Sequence, residues 1–189
     1  KEVDSGMYLK AGPEIGVAST KAFSSSLVCL LLVAAKISGK TYEEMKELPS
    51  LIKKVLAKEK EVIPLNKYFE NNALFLGRGM LFPIALEGAL KMKEISYVHA
   101  EGYPAAEMKH GPIALIDEKM PVVIVAGSNH SEKISNNISE IKARGGKVLV
   151  FSSNKKLLEK SDEGIELPEV PYLLEPLVYN IILQLLAYY

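Results

Sequence analysis

The chain has 189 residues, 48% hydrophobic and 24% charged, with Lys plus Arg equal to Asp plus Glu at 23 each. That length is enough to bury a real core, and the balanced charge excludes a general attraction to nucleic acid or an acidic membrane; an anionic ligand needs a local site. The single cysteine, Cys29, excludes an internal disulfide and a cysteine-based metal cluster.

Residues 1–18 read as irregular, punctuated by Gly6, Gly12-Pro13 and Gly16. A helix is expected from about Thr20 to Ser38, stopping at Gly39, the favoured residue just past a helix end. Apolar residues nearly surround it, which predicts burial against a partner, with Cys29 as a small buried hydrophobe. The apolar run 27–35 is too short to span a bilayer and no signal-peptide pattern precedes it, so a cytoplasmic protein is expected. The start Lys1-Glu2-Val3, without Met, points to a piece of something longer. Thr41-Tyr42-Glu43-Glu44 has the capping-box pattern. Pro49 interrupts the helical pattern after it, so one short helix and then a longer one from about Ser50 to Val62 are expected.

From residue 73 strands and helices alternate. Ala73–Leu76 is a short apolar run ending at Gly77-Arg78-Gly79, followed by a helix from about Leu81 to Tyr97. Val122–Val125 is apolar throughout and bounded by Pro121 and Gly127, as in a central parallel strand. A polar helix over 131–144, a strand over 147–151, a weak strand over 164–167 and an apolar helix over 172–189 complete the order. Such alternation implies right-handed crossovers and an α/β fold: a three-layer α/β/α sandwich with a mainly parallel sheet, preceded by a helical segment.

At about 100° per residue, Glu87, Lys91 and Glu94 fall within an arc of roughly 60° on an otherwise apolar helix. The bland reading is a pair of i,i+4 and i,i+3 ion pairs, worth ~0.2–0.5 kcal/mol on an exposed helix. The functional reading rests on stoichiometry. Two carboxylates share one lysine, leaving one free as a base, and a partly buried carboxylate of raised pKa suits proton transfer in sugar isomerisation.

His110 stands before Gly111-Pro112, which fixes a turn and holds the imidazole on a loop. His99 and His130 lack comparable surroundings, and the three histidines lack a ligand spacing, so no metal is expected. Gly12 to Lys21 and Gly77-Arg78-Gly79 each lead into a helix and offer free backbone amides to an anion. Neither is a P-loop, and an ordinary helix cap accounts for each as well.

Three segments carry a family resemblance: AGPEIGVASTKAF (11–23), LGRG…PIALEGALKMKEISYVHAEGY (76–103) and E-x-K-HGP-x-A-L-I (107–116). They resemble the isomerase part of the glucosamine-6-phosphate synthase (glutamine–fructose-6-phosphate aminotransferase) family, which is built from two sugar-isomerase (SIS) domains. The likeness covers essentially the whole chain. It implies transfer of glutamine-derived ammonia to fructose 6-phosphate, then isomerisation to glucosamine 6-phosphate, with no cofactor.

Carried onto this sequence, Glu94 is the glutamate that moves the proton between C1 and C2. By the same resemblance His110 matches the histidine that helps open the sugar ring and reaches the neighbouring subunit's site, Lys91 and Glu87 match the residues beside the base, and Val17 and Ser19 match the loop that touches the sugar. On this reading 1–66 closes a first SIS domain and 67–189 is a second. The glutaminase domain, the phosphate-holding front of the first SIS domain and the tail bearing a Schiff-base lysine lie outside the chain, which alone is expected to be a weak catalyst or none. A homodimer is expected. Two alternatives are a sugar-phosphate-binding SIS regulatory module without turnover, and another SIS enzyme such as an amino-sugar deaminase or deglycase.

Overall fold

The computed structural model describes residues 4–39 and 43–189. Five parallel strands form one sheet in the order β2-β1-β3-β4-β5: β1 is Asn72–Gly77, β2 His99–Pro104, β3 Pro121–Ala126, β4 Lys147–Ser152 and β5 Glu163–Glu166. Among the described residues seven α-helices accompany it: α1 Lys21–Ser38, α2 Leu48–Leu56, α3 Glu59–Val62, α4 Phe82–Lys91, α5 Ser131–Ala143, α6 Lys155–Leu158 and α7 Glu175–Tyr188.

Strand side chains alternate between two cores, as the pleat demands. Phe75, Val123, Val125, Leu149 and Phe151 face α2, α4 and α7, while Leu74, Leu76, Val122, Ile124, Val148 and Val150 face α5 and α6. A strand covered on both faces has no polar side to show, which is why β3 reads as an unbroken apolar run. The three-layer α/β expectation holds.

Three local expectations differ from the structure, and one more falls partly outside the described residues. Strand β2 (HAEGYP) has neither apolar alternation nor a turn signal, and its Gly and Pro argue against a strand; it forms because it is an edge, needing one ladder partner only. Pro49 does not break α2 but sits in its first turn, where its missing N–H is no loss, and the stretch 50–62 divides into α2 and α3. The capping box begins at 41–42, outside the described residues, and Glu43–Glu47 is a 3₁₀ turn.

The third difference is α1. Only Ala35 is buried, Cys29 is half-buried, and Leu30, Val33 and Ile37 are exposed, because its main packing partner is α7. By length and composition α1 could cross a bilayer, with a mean hydropathy of 1.5 over 18 residues. Its inner side instead carries a polar seam: Asn180 Nδ2 donates to Ser24 Oγ at 3.0 Å and Gln184 Nε2 to the Thr20 carbonyl at 3.2 Å. Such a seam fixes one helix against another.

Candidate active site

Helix α4 starts beyond the carboxyl end of β1 and runs back along the sheet, with Pro83 in its first turn. Its C-terminal end therefore lies at the amino edge, beside the first residue of β2. The sequence expects one α-helix to Tyr97, but the helix widens after Lys91 into a π-helical turn, Met92–Ser96, and stops at Tyr97 in the left-handed conformation. Widened turns of this kind recur at functional sites.

The widening leaves the charged stripe assembled. Lys91 Nζ lies 2.5 Å from Glu94 Oε2 and 3.4 Å from Glu87 Oε1. Lys91 is 1% exposed and Glu87 9%, whereas the Glu94 side chain keeps 27% of its surface in solvent. An ammonium buried this deeply costs several kcal/mol of desolvation unless partners surround it, and two carboxylates do. Burial pushes the Glu87 carboxyl above its ordinary value, opposed by the charge and hydrogen bond of Lys91 and reinforced by Glu94. Glu87 is thus the carboxyl that burial holds toward its protonated form, and Glu94 is the one that reaches solvent.

The Val17–Ser19 loop approaches this end of the molecule through α7. Gln184 holds the Thr20 carbonyl, and three residues on, the Ala187 carbonyl accepts from Ser96 Oγ at 2.7 Å. The last two turns of α7 thus fasten both the start of α1 and the π-turn. Val17 is 93% exposed. Ser19 Oγ donates to Glu14 Oε2 at 3.1 Å.

Glu14, which the sequence reading passed over, decides what that loop can do. Its Oε1 accepts from the amides of Thr20 and Lys21, both at 2.9 Å, so the helix start expected to be open to an anion is capped by the chain's own carboxylate. The Thr20 amide is the largest influence and brings Glu14 down to about 2, against a smaller desolvation. The helix-cap reading is the correct one there.

His110 does not join the cluster within one chain. It ends the 3₁₀ turn Met108–His110 beyond the carboxyl end of β2, whereas Glu94 precedes the amino end of that strand. Six strand residues separate the two ends, about 20 Å at ~3.3 Å per residue. The imidazole is 75% exposed, with Nε2 3.9 Å from Glu107 Oε2. Buried Met108 and a 2.6 Å pair between Lys109 and Glu140 of α5 hold the turn in place.

A groove of about 1130 Å³ lies elsewhere, at the carboxyl ends of β4 and β5, lined by Lys54, Lys58, Ser153, Asn154 and Lys155 among others. Lys156, Glu166 and Glu169 line it too, but the ion pair there, Lys155 to Glu166 at 3.7 Å, is exposed on both sides, whereas Lys91 on α4 is buried between two carboxylates, and a buried charge cluster is the stronger mark of chemistry.

A sequence model of the SIS domain matches residues 68–189. The chain belongs to the SIS-domain family. It is 50% identical over 200 residues to a Bacteroides thetaiotaomicron protein named glutamine–fructose-6-phosphate aminotransferase (isomerizing), covering 97% of this chain and 33% of that protein. The Escherichia coli K12 protein of the same name is 46% identical over 204 residues, covering 100% of this chain and 34% of that protein. The chain thus spans about a third of the length of the curated relatives it matches.

Among solved structures, the C-terminal domain of the Francisella tularensis glucosamine-fructose-6-phosphate aminotransferase superposes with a TM-score of 0.85 at 42% identity, covering 95% of this chain and 55% of that one. A Thermotoga maritima glucosamine-6-phosphate deaminase gives 0.77 at 25%, covering 93% and 52%. This SIS chain is therefore similar to isomerizing aminotransferases over nearly its full length, and more distantly to a deaminase of the same fold.

Proposed function

We propose that the chain is the sugar-phosphate isomerase part of a glucosamine-6-phosphate synthase, with Glu94 as the base that moves a proton between C1 and C2 of the sugar. The observation that carries this reading is the buried Lys91 clasped by two carboxylates, of which Glu94 alone is substantially open to solvent, in a chain 44–50% identical to isomerizing aminotransferases. In the isomerisation step the Glu94 carboxylate takes a proton from C1 of the ketose or its imine, an enediol or enolamine forms, and the proton returns at C2. Lys91 holds the Glu94 carboxylate in place, and Glu87 balances the buried ammonium. Val17 and Ser19 form the loop beside the sugar, and His110 serves ring opening in the site of a second copy, the protein acting as a cytoplasmic homodimer.

Residues 1–66 close a first SIS domain and 67–189 form a second. The uncovered apolar side of α1 is then the surface on which the remainder of that first domain packs, in line with relatives three times as long as this chain. A sugar-binding module without turnover needs no solvent-reaching carboxylate on a buried lysine, which favours the enzyme.

The test is turnover. With this chain spliced in place of the corresponding third of the E. coli relative, fructose 6-phosphate gives glucose 6-phosphate, and Glu94→Gln lowers the rate about 10²–10⁴-fold. Undiminished turnover in the variant removes Glu94 from the role.

A further inference from the structure

The strand order β2-β1-β3-β4-β5 reverses between β1 and β3. In open parallel sheets, the crevice outside the carboxyl ends of the two strands at such a reversal is where ligands enter. Here it lies at the opposite edge of the sheet from the Glu94 turn. Arg78 follows β1 into it, Gly127, Asn129 and His130 follow β3, and Tyr172 and Glu175 close it from the α7 side. Its free space is about 10 Å³, room for a single water.

Glu175 takes up the rest. Its side chain opens α7 and the residue is 3% exposed. Its Oε1 accepts the Ser128 amide at 2.6 Å. A Cβ built on Gly127 would lie 2.1 Å from Oε2, so a residue larger than glycine there would evict the carboxylate. One turn further along α7, buried Tyr179 Oη donates to the Ala126 carbonyl at 2.9 Å, and Ser152 Oγ donates to the same oxygen at 2.6 Å. The polar end of β3 is thus fitted to the face of α7 that brings Glu175 in. Burying a carboxylate is costly, and an apolar residue would close the space without that cost.

We propose that this crevice is an anion site whose occupant is the chain's own Glu175 carboxylate. The Ser128 amide offers the contact a phosphate or carboxylate oxygen would take, and Glu175 stands there as the built-in ligand, much as Glu14 stands at the start of α1. The ligand class is a small tetrahedral or planar oxyanion, and the sheet's own crevice is closed to the phosphate of a sugar phosphate. The inference rests on the sheet topology and Glu175, and stands whether or not Glu94 is a base.

Glu175→Ala tests it. The wild-type chain should show only the general salt effect on Tm in formate and in inorganic phosphate relative to chloride of equal ionic strength, and that shift is the baseline for both variants. Glu175→Ala should melt lower and recover about 2–4 °C per kcal/mol of binding when formate or inorganic phosphate fills the vacated space. Glu175→Gln, which still fills the crevice, should not respond. A Glu175→Ala protein indifferent to both anions overturns the proposal and leaves Glu175 a simple tether. If that variant folds only with formate or phosphate present, the proposal holds. If it folds under no condition, the wild-type amide resonances of Gly127 to His130 decide. They should stay fixed during titration with inorganic phosphate, and a saturable shift would show the site open and the proposal wrong.

Discussion

Glu87 and Glu94 share one ammonium but live in different surroundings, and the difference has a pH signature. Burial raises the Glu87 carboxyl above its ordinary 4.5 despite the pull of Lys91, so the folded state binds that proton more tightly than the unfolded chain does. The linked stability is fully present below about pH 4.5 and is lost as pH rises through the folded value. Glutamine has no proton to lose, so the Tm difference between Glu87→Gln and wild type should move in the variant's favour as pH rises from about 4.5 through the folded value. A Tm difference that stays flat or moves the other way would mean Glu87 is not burdened by its burial. The stripe itself was legible because Glu87, Lys91 and Glu94 follow the helical period, a local property. Which of the two carboxylates is buried was not, since that depends on what α7 and β2 cover. Glu14 and Glu175 were invisible for the same reason: each finds its amide in the folded chain, six or seven residues away for Glu14 and 47 for Glu175.

At the scale of elements, α4 is held against β2 by the absence of a side chain. A Cβ on Gly102 would lie 2.8 Å from Leu86 Cα and 3.0 Å from its backbone nitrogen, and backbone cannot rotate aside. Gly102→Ala should therefore cost about 1–3 kcal/mol by denaturant unfolding, as overpacking does. Because Leu86 adjoins Glu87, activity should fall with it; a variant as stable and active as wild type would show the contact to be slack. The elements that sequence periodicity found are those with both faces covered or one clean face, such as β3, β4 and α5. It missed β2, whose polar, Gly- and Pro-containing run is tolerated only at an edge, and it carried α4 through a π-turn that no residue in Met92–Ser96 announces. It also took apolar content in α1 for all-round burial, when Phe23, Leu27, Val28 and Leu31 pack on the core and Leu30, Leu32, Val33 and Ile37 lie open in this chain.

At the scale of the molecule, the two proposed catalytic groups sit at opposite ends of β2, so one copy cannot bring them together. A site built across two copies makes a quantitative prediction. Glu94→Gln and His110→Ala should each be inactive alone. Mixed and re-associated at equal amounts, half the dimers are hybrids and each hybrid has one intact site, so about a quarter of wild-type turnover should return. No recovery would place His110 outside the partner's site. The central claim is narrower still: that Glu94 carries the proton. It is tested most directly in D₂O with fructose 6-phosphate, following the sugar by NMR in the same spliced protein. The wild-type chain should introduce solvent deuterium at the carbons beside the carbonyl, and Glu94→Gln, melting at the wild-type temperature, should introduce none. Exchange at the wild-type rate in that variant would contradict the account.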